Sequence, residues 1–347
     1  MASANSVREY LASSLLLVLE EPASPAGGTE SVGEGADDQA AAGRSDRRTA
    51  DFVRFEGASL LDRQVVNRLL DTVGRSLGTD KRAVAASLFF KHYCRALSGA
   101  FYAWIQAGVA LDLSLAGLEL RWHEACRLEV VVRQPQGWLL SGTAAAGCSL
   151  PEESADAADS SPAAHPGIES TGPRVGDAGR ALLPDRSLLP IPSPGGSEAS
   201  EPSSLDVRET FARRLYAEHL GPLIGLLSEV TRLKKAILWE NALIYLLAAF
   251  NTLETQASTA EECACVREER RFWTEQAPAS WFGTEETVNP LCRPGCLVPH
   301  PLGEEDPIRV RERCCLKVLL PGGTNCTSCC RIDEDERRRL FEKKKGV

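Results

Sequence analysis

Five of the chain's twelve cysteines fall between Cys314 and Cys330, and their spacing constrains the fold more than any other feature. From Arg313 the sequence runs Arg-Cys314-Cys315-Leu-Lys-Val-Leu-Leu-Pro-Gly-Gly-Thr-Asn-Cys326-Thr-Ser-Cys329-Cys330, a C-C-x10-C-x2-C pattern with one further cysteine behind it. A C-x2-C pair turns two sulfurs toward one centre, and alone it is shared by zinc and redox sites. The ten intervening residues add the constraint. Leu316–Leu320 can run outward, Pro321-Gly322-Gly323 can reverse the chain, and Thr324-Asn325 can return Cys326 and Cys329 to Cys314 and Cys315. Four thiols are then predicted to converge in one loop.

Disulfides do not explain this clustering. A chain of 347 residues, 43% hydrophobic, can bury its own core, and twelve cysteines in that length fall short of a disulfide scaffold. The formal charge of −9 and pI near 5.3 argue against nucleic-acid or anionic-membrane partners. The apolar run Leu11–Leu19 is short, has Glu9 beside Arg8 and is followed by Glu20-Glu21, so it reads as a short amphipathic helix rather than a cleaved leader. Ala96–Leu115 carries Gln106 and Asp112, and Ala236–Leu253 carries Glu240, Asn241 and Asn251; both read as buried helices, not membrane spans. The expectation is a cytoplasmic protein without a transmembrane segment. In that reducing compartment clustered cysteines suggest metal binding or catalysis.

The pattern along the chain predicts a mainly helical α+β protein. Residues 1–49 read as a disordered tail with a short helix. Residues 50–147 form an N-terminal α+β domain: Val65, Val66, Leu69, Leu70, Val73 and Leu77 mark one helix face, and Asp80 can cap a second helix carrying Val84, Leu88, Phe89, Tyr93 and Leu97. Alternating runs at Leu118–Trp122, Leu128–Arg133 and Trp138–Ser141 predict a small antiparallel sheet, with a turn at Gln134-Pro135-Gln136-Gly137. Residues 148–207, rich in Ser, Pro, Ala and Gly, read as a disordered linker or insertion. Residues 208–347 form a helical C-terminal domain. One helix there is expected to stop at Gly221-Pro222, another covers Lys234–Leu253, and the cysteine loop at 314–330 follows.

Four sulfurs suit tetrahedral zinc or an iron–sulfur cluster. Adjacent cysteines diverge unless the backbone turns sharply, which favours the larger target of a two-iron centre, with zinc the open alternative. Arg309, Arg311, Arg313, Lys317 and Arg331 flank the loop against Glu312 alone. Basic neighbours suit an anionic cluster, and equally suit a solvated face.

The spacing Cys314-Cys315-x10-Cys326-x2-Cys329 is similar to the C-terminal signature of FhuF-type ferric siderophore reductases, and differs from both ferredoxin arrangements. Leu238-Trp239-Glu240-Asn241-Ala242 resembles the Trp-x-Asn-Ala helix of that family and of siderophore synthetases. The likeness covers 208–332 and, more loosely, 50–145; it leaves out the N-terminal tail and 148–207. Glu240 stands where the family usually has a small residue, and Cys330 where a proline is common. The resemblance implies a [2Fe–2S] cluster held by Cys314, Cys315, Cys326 and Cys329. It further implies one-electron reduction of siderophore-bound Fe(III), most simply a hydroxamate chelate, to Fe(II) for iron release inside the cell. Electrons then come from outside, from a ferredoxin or an NAD(P)H-dependent reductase, because the sequence has no dinucleotide fingerprint, P-loop or HExxH motif. Two alternatives stand beside it: a zinc-stabilised module without redox activity, and a siderophore-handling protein related to the synthetases.

Other features have simpler readings. Cys263, Cys265, Cys292 and Cys296 could make a second metal site but read as separate free thiols. His92, His123 and His219 read as structural or surface histidines, Trp273 and Trp281 as core or lid packing. Lys234 and Lys235 could attract an anionic chelate but read as a solvated helical turn. The tail Arg337–Lys345, offset by Asp333–Glu336 and Glu342, reads as a charged helix.

Overall fold

Apolar side chains at three- and four-residue steps build the first long helix, α1 (Arg63–Ser76), whose inward face is Val66, Leu69, Leu70 and Val73. Asp62 caps it, its carboxylate accepting the Gln64 and Val65 backbone N–H groups at 2.6 and 3.1 Å. The computed structural model describes residues 8–20, 52–133, 138–139, 204–283, 286–293, 295–304 and 307–345. It is an α+β structure, mostly helical. The second helix, α2 (Arg82–Leu97), buries Val84, Leu88, Phe89, Tyr93 and Leu97. Asp80 does not cap it. Thr79 holds the connecting turn instead: its N–H donates to Gly74 O (2.9 Å) and its hydroxyl accepts from Lys81 N (3.2 Å). A short helix, α3 (Gly99–Ala107), follows Ser98 directly.

The sheet is mixed rather than purely antiparallel. Strands β1 (Leu17–Leu19) and β2 (Phe52–Glu56) flank it, and β3 (Val109–Ala110) lies apart. With β4 (Leu118–His123) and β5 (Arg127–Val132) the order is β1-β5-β4-β2. β2–β4 and β4–β5 are antiparallel, with Leu120 opposite Val130, whereas β1 runs parallel to β5 with Leu17 opposite Val130. The N-terminal apolar run is therefore only half helical. A wide turn over Leu11–Leu15 ends at Leu16 in the left-handed region (φ 61°), and Leu17–Leu19 then joins the sheet. Gly99 leaves the space for this. A Cβ there would lie 2.9 Å from the Leu11 side chain and 3.2 Å from that of Leu17. β6 (Trp138–Leu139) pairs with β3, and the turn expected at 134–137 lies outside the described residues. Of the tail read over 1–49, residues 8–20 are described; nearly all of the linker read over 148–207 is not.

The second half is a helical stack. α4 (Ser204–Ala212), a π-helical stretch Arg213–Leu220 and α5 (Gly221–Thr231) run on without a break. The expected stop at Gly221-Pro222 is absent because the wider π turns leave a place for proline. The Gly221 N–H bonds back to Tyr216 O, and Pro222 falls at the start of α5, where no donor is needed. α6 (Lys235–Gln256) packs against α2, so both halves contribute to one hydrophobic core. α6 is long and apolar enough to cross a bilayer, yet just over half of its apolar stretch is buried within the fold, with Glu240 and Asn241 in its second turn fully enclosed. α7 (Ala260–Arg271) leads into a second π stretch, Phe272–Gln276; Trp273 and Trp281 are core residues. A ribbon of β7 (Cys296–Val298) and β8 (Ile308–Val310) then delivers the chain to the cysteine loop, and α8 (Glu334–Lys345) closes it.

Candidate metal centre

The cysteine loop is fixed from below by three buried residues on two helices. Glu240 of α6 is fully buried, and its carboxylate accepts the backbone N–H groups of Glu312 (2.7 Å) and Arg313 (2.9 Å), the two residues before Cys314. Asn241 accepts from the Arg311 guanidinium at 2.6 Å and donates to the backbone carbonyl of Ser87 at 3.1 Å. Ser87 of α2 then donates its hydroxyl to Cys315 O at 2.9 Å. The Arg311 Nε bonds Arg313 O at 3.1 Å, so the guanidinium braces the same strand. Neighbouring residues of α6 thus grip the chain immediately ahead of the adjacent cysteine pair.

Within the loop the chain reverses as its residue types predict. Leu316 takes a left-handed conformation (φ 65°), Lys317–Leu319 form a 3-10 turn, and Gly323 N donates to Leu320 O at 2.9 Å. Gly323 has no room for a side chain: a Cβ would meet Lys317 O at 2.4 Å. Arg311 N then pairs with Ser328 O (2.9 Å), laying the two cysteine-bearing arms side by side, and Cys329 N bonds Cys326 O (2.9 Å) to tighten the C-x2-C turn. Arg337 of α8 locks the second arm, donating to the carbonyls of Thr327, Cys329 (3.0 Å) and Ile332 (3.3 Å).

The four expected ligands lie close together: Cys314 and Cys329 share one buried cluster, and Cys326 packs against it. Cys315 is hydrogen-bonded to Cys326, and Cys314 to Cys329. Each sulfur also accepts a hydrogen bond from the residue two positions on: Leu316 N to Cys314 (3.4 Å), Lys317 N to Cys315, Ser328 Oγ to Cys326 (3.7 Å) and Arg331 N to Cys329 (3.4 Å). Donors aimed at sulfur stabilise thiolates and thiolate–metal bonds. The Arg313 Nε, also buried, has no acceptor among the described residues, so the site has donor capacity to spare for an anionic group. Cys314, Cys315 and Cys329 are buried, Cys326 is half-exposed and Cys330 is exposed, so of the Cys329-Cys330 pair it is Cys329 that points inward. The Cys315 thiol is drawn down to about 5, chiefly by the hydrogen bond from Cys326, then by Lys91, the Lys317 N–H and Arg311, against the opposing effect of burial. Cys326, the donor of that bond, is pushed up by it and by burial. Among the described residues no three His, Cys, Asp or Glu side chains already stand together as a metal-binding group.

The remaining sequence candidates sit elsewhere. His219 is buried between Leu113 O (2.8 Å) and the Tyr93 hydroxyl (2.5 Å), a structural role, and burial holds it down at about 4. His92 packs edge-on to Trp122, and His123 lies 3.3 Å from Glu129. Cys263, Cys292 and Cys296 are free, but Cys265 is disulfide-bonded, which corrects its reading as a free thiol. Lys234 and Lys235 begin α6. Sequence reasoning missed Ser87 and Arg337, and noticed Glu240 only as an unusual residue. Polar groups next to Trp239 in an otherwise apolar helix were the available signal. No protein-family model matches the chain, and no curated protein matches it at a significant level.

Proposed function

We propose that the chain is a [2Fe–2S] ferric siderophore reductase of the FhuF type, with Cys314, Cys315, Cys326 and Cys329 as the cluster ligands. The observation that carries this reading is the arrangement of the four sulfurs. Cys314 and Cys329 share one buried cluster with Cys326 packed against it, and each of the four sulfurs has its own donor from the residue two positions on. A donor for every sulfur suits an anionic cluster, and the adjacent pair Cys314-Cys315 suits a target wider than a single zinc ion. When bound, the cluster supplies one electron per cycle to convert chelated Fe(III) to Fe(II), the electron being replaced by an external reductant.

The chain's own residues hold and shield the sulfurs. Glu240 and Asn241 fix the backbone before Cys314, Ser87 fixes the Cys315 carbonyl, and Arg337 fixes the Cys326–Cys329 turn. Burial of three sulfurs keeps water from the ligands, while the half-exposed Cys326 marks the open side. Reduction needs no proton transfer or covalent nucleophile, because Fe(II) is held less tightly than Fe(III) by hard anionic oxygens. Iron and acid-labile sulfide analysis of the anaerobically purified chain tests the ligand set: about two irons and two sulfides per chain are expected. One zinc without sulfide would establish the non-redox module instead.

A further inference from the structure

Two lysines stand beside the Cys315 arm of the cysteine loop, and they bear on which chelates the proposed reductase would take. Ser87 of α2 bonds Cys315 O, and Lys91 lies one helical turn on, on the same face, where its charge reaches the Cys315 sulfur. The Lys317–Leu319 turn packs against α2. Lys317 gives its backbone N–H to Cys315 and leaves its side chain exposed, followed by the exposed Leu319. Neither lysine has an ion-pair partner among the described residues. Many other basic side chains do, including Arg121, Arg214, Arg267 and Arg293. After Cys329 the charges are mixed: Arg331, Asp333, Glu334 and Asp335 are exposed, and Glu336 accepts from Asn325 at 2.8 Å. Cys326, the half-exposed sulfur, is hydrogen-bonded to Cys315 and so borders the Cys315 arm.

Resting on the reductase reading, we infer that the ferric chelate docks over the Cys315–Cys326 edge with Lys91 and Lys317 binding its anionic oxygens, so that anionic chelates are the preferred class. A ferric tris-catecholate core is a trianion, whereas a ferric tris-hydroxamate core is neutral and gains little from two ammonium groups. This replaces the hydroxamate class that the family resemblance suggests. It also shifts the candidate chelate-binding cations from Lys234 and Lys235 to Lys91 and Lys317. In a chain of net charge −9 the local field, not the bulk figure, then selects the ligand.

The test uses redox-inert gallium complexes, which copy ferric charge and shape, and measures Kd with the full-length chain as purified. Wild type should bind a gallium tris-catecholate more tightly than a neutral gallium tris-hydroxamate, and the preference should shrink as salt rises. In Lys91→Ala/Lys317→Ala the Kd for the trianion should rise about fivefold or more, and the ratio between the two chelates should collapse. Both lysines are at least partly exposed, so the double variant should fold; unchanged far-UV circular dichroism checks this. Equal affinity of wild type for the two chelates, or an unchanged ratio in the double variant, would overturn the inference. Binding of the gallium trianion, with neither a ferric hydroxamate nor a ferric catecholate reduced, would reject the reductase reading and leave the docking edge standing.

Discussion

Glu240→Gln is the sharpest probe of how the fold presents its cysteines. The wild-type carboxylate accepts two backbone N–H groups, from Glu312 at 2.7 Å and Arg313 at 2.9 Å, in full burial. Glutamine keeps the shape but has one acceptor oxygen. Its amide NH2 then faces a backbone N–H, leaving that donor without a partner. A hydrogen bond to a charged acceptor is worth about 1.5–3 kcal/mol, and a buried unsatisfied donor costs about 1–3 kcal/mol. These overlap rather than add, so the expected loss is about 2–3 kcal/mol. For a folded unit of this size that lowers Tm by roughly 5–10 °C. Urea and thermal unfolding by circular dichroism measure it, and hydrogen exchange at the Glu312 and Arg313 amides locates it. Glu240→Ala should cost more, since both donors lose their acceptor and a cavity opens. A Glu240→Gln variant within about 0.5 kcal/mol of wild type, with those amides equally protected, would refute the clamp.

Other substitutions separate the ligands from their neighbours. Cys326→Ser should lose iron and sulfide while Cys330→Ser retains both, because Cys326 pairs with Cys315 and Cys330 is exposed; metal analysis of the two purified variants reads the difference. Gly323→Ala should weaken iron retention and speed release to a chelator, since its Cβ would sit 2.4 Å from Lys317 O and distort the turn between the two cysteine arms. Stability should also fall in acid for an identifiable reason. Burial holds His92 and His219 at about 4, below their ordinary value near 6.5, so the unfolded chain takes up protons first. That contribution is present above pH 6.5, declines as pH falls toward 4, and levels off below. Urea midpoints across this window should flatten in His219→Gln, and an unchanged slope there would remove His219 from the account.

How much of this was legible in the sequence depended on the range of the contacts. The face of α1 follows from apolar steps of three and four residues, and the reversal between Cys315 and Cys326 follows from Pro321-Gly322-Gly323. Both are local. β1 was not legible, because a three-residue strand at the end of a short apolar run pairs with β5, more than a hundred residues away. Gly221-Pro222 misled because a π stretch upstream gives the proline a place that an α-helix would deny it. The choice between Cys329 and Cys330 depends on α8, whose Arg337 turns the Cys329 carbonyl inward. The support of the site by Ser87, Glu240 and Asn241 joins three distant segments. Only the oddity of two polar residues inside α6 hinted at it.

The central claim is one-electron transfer from the cysteine centre to chelated iron, and a single-turnover experiment addresses it directly. The chain, reduced with dithionite and freed of excess reductant, is mixed anaerobically with a ferric tris-hydroxamate and, separately, with a ferric tris-catecholate, each in the presence of a ferrous trap. The account predicts that the charge-transfer absorption of the oxidised cluster returns as the trap colours, with about one Fe(II) formed per cluster. No reoxidation of the cluster over minutes with either chelate, the trap staying colourless, would contradict it.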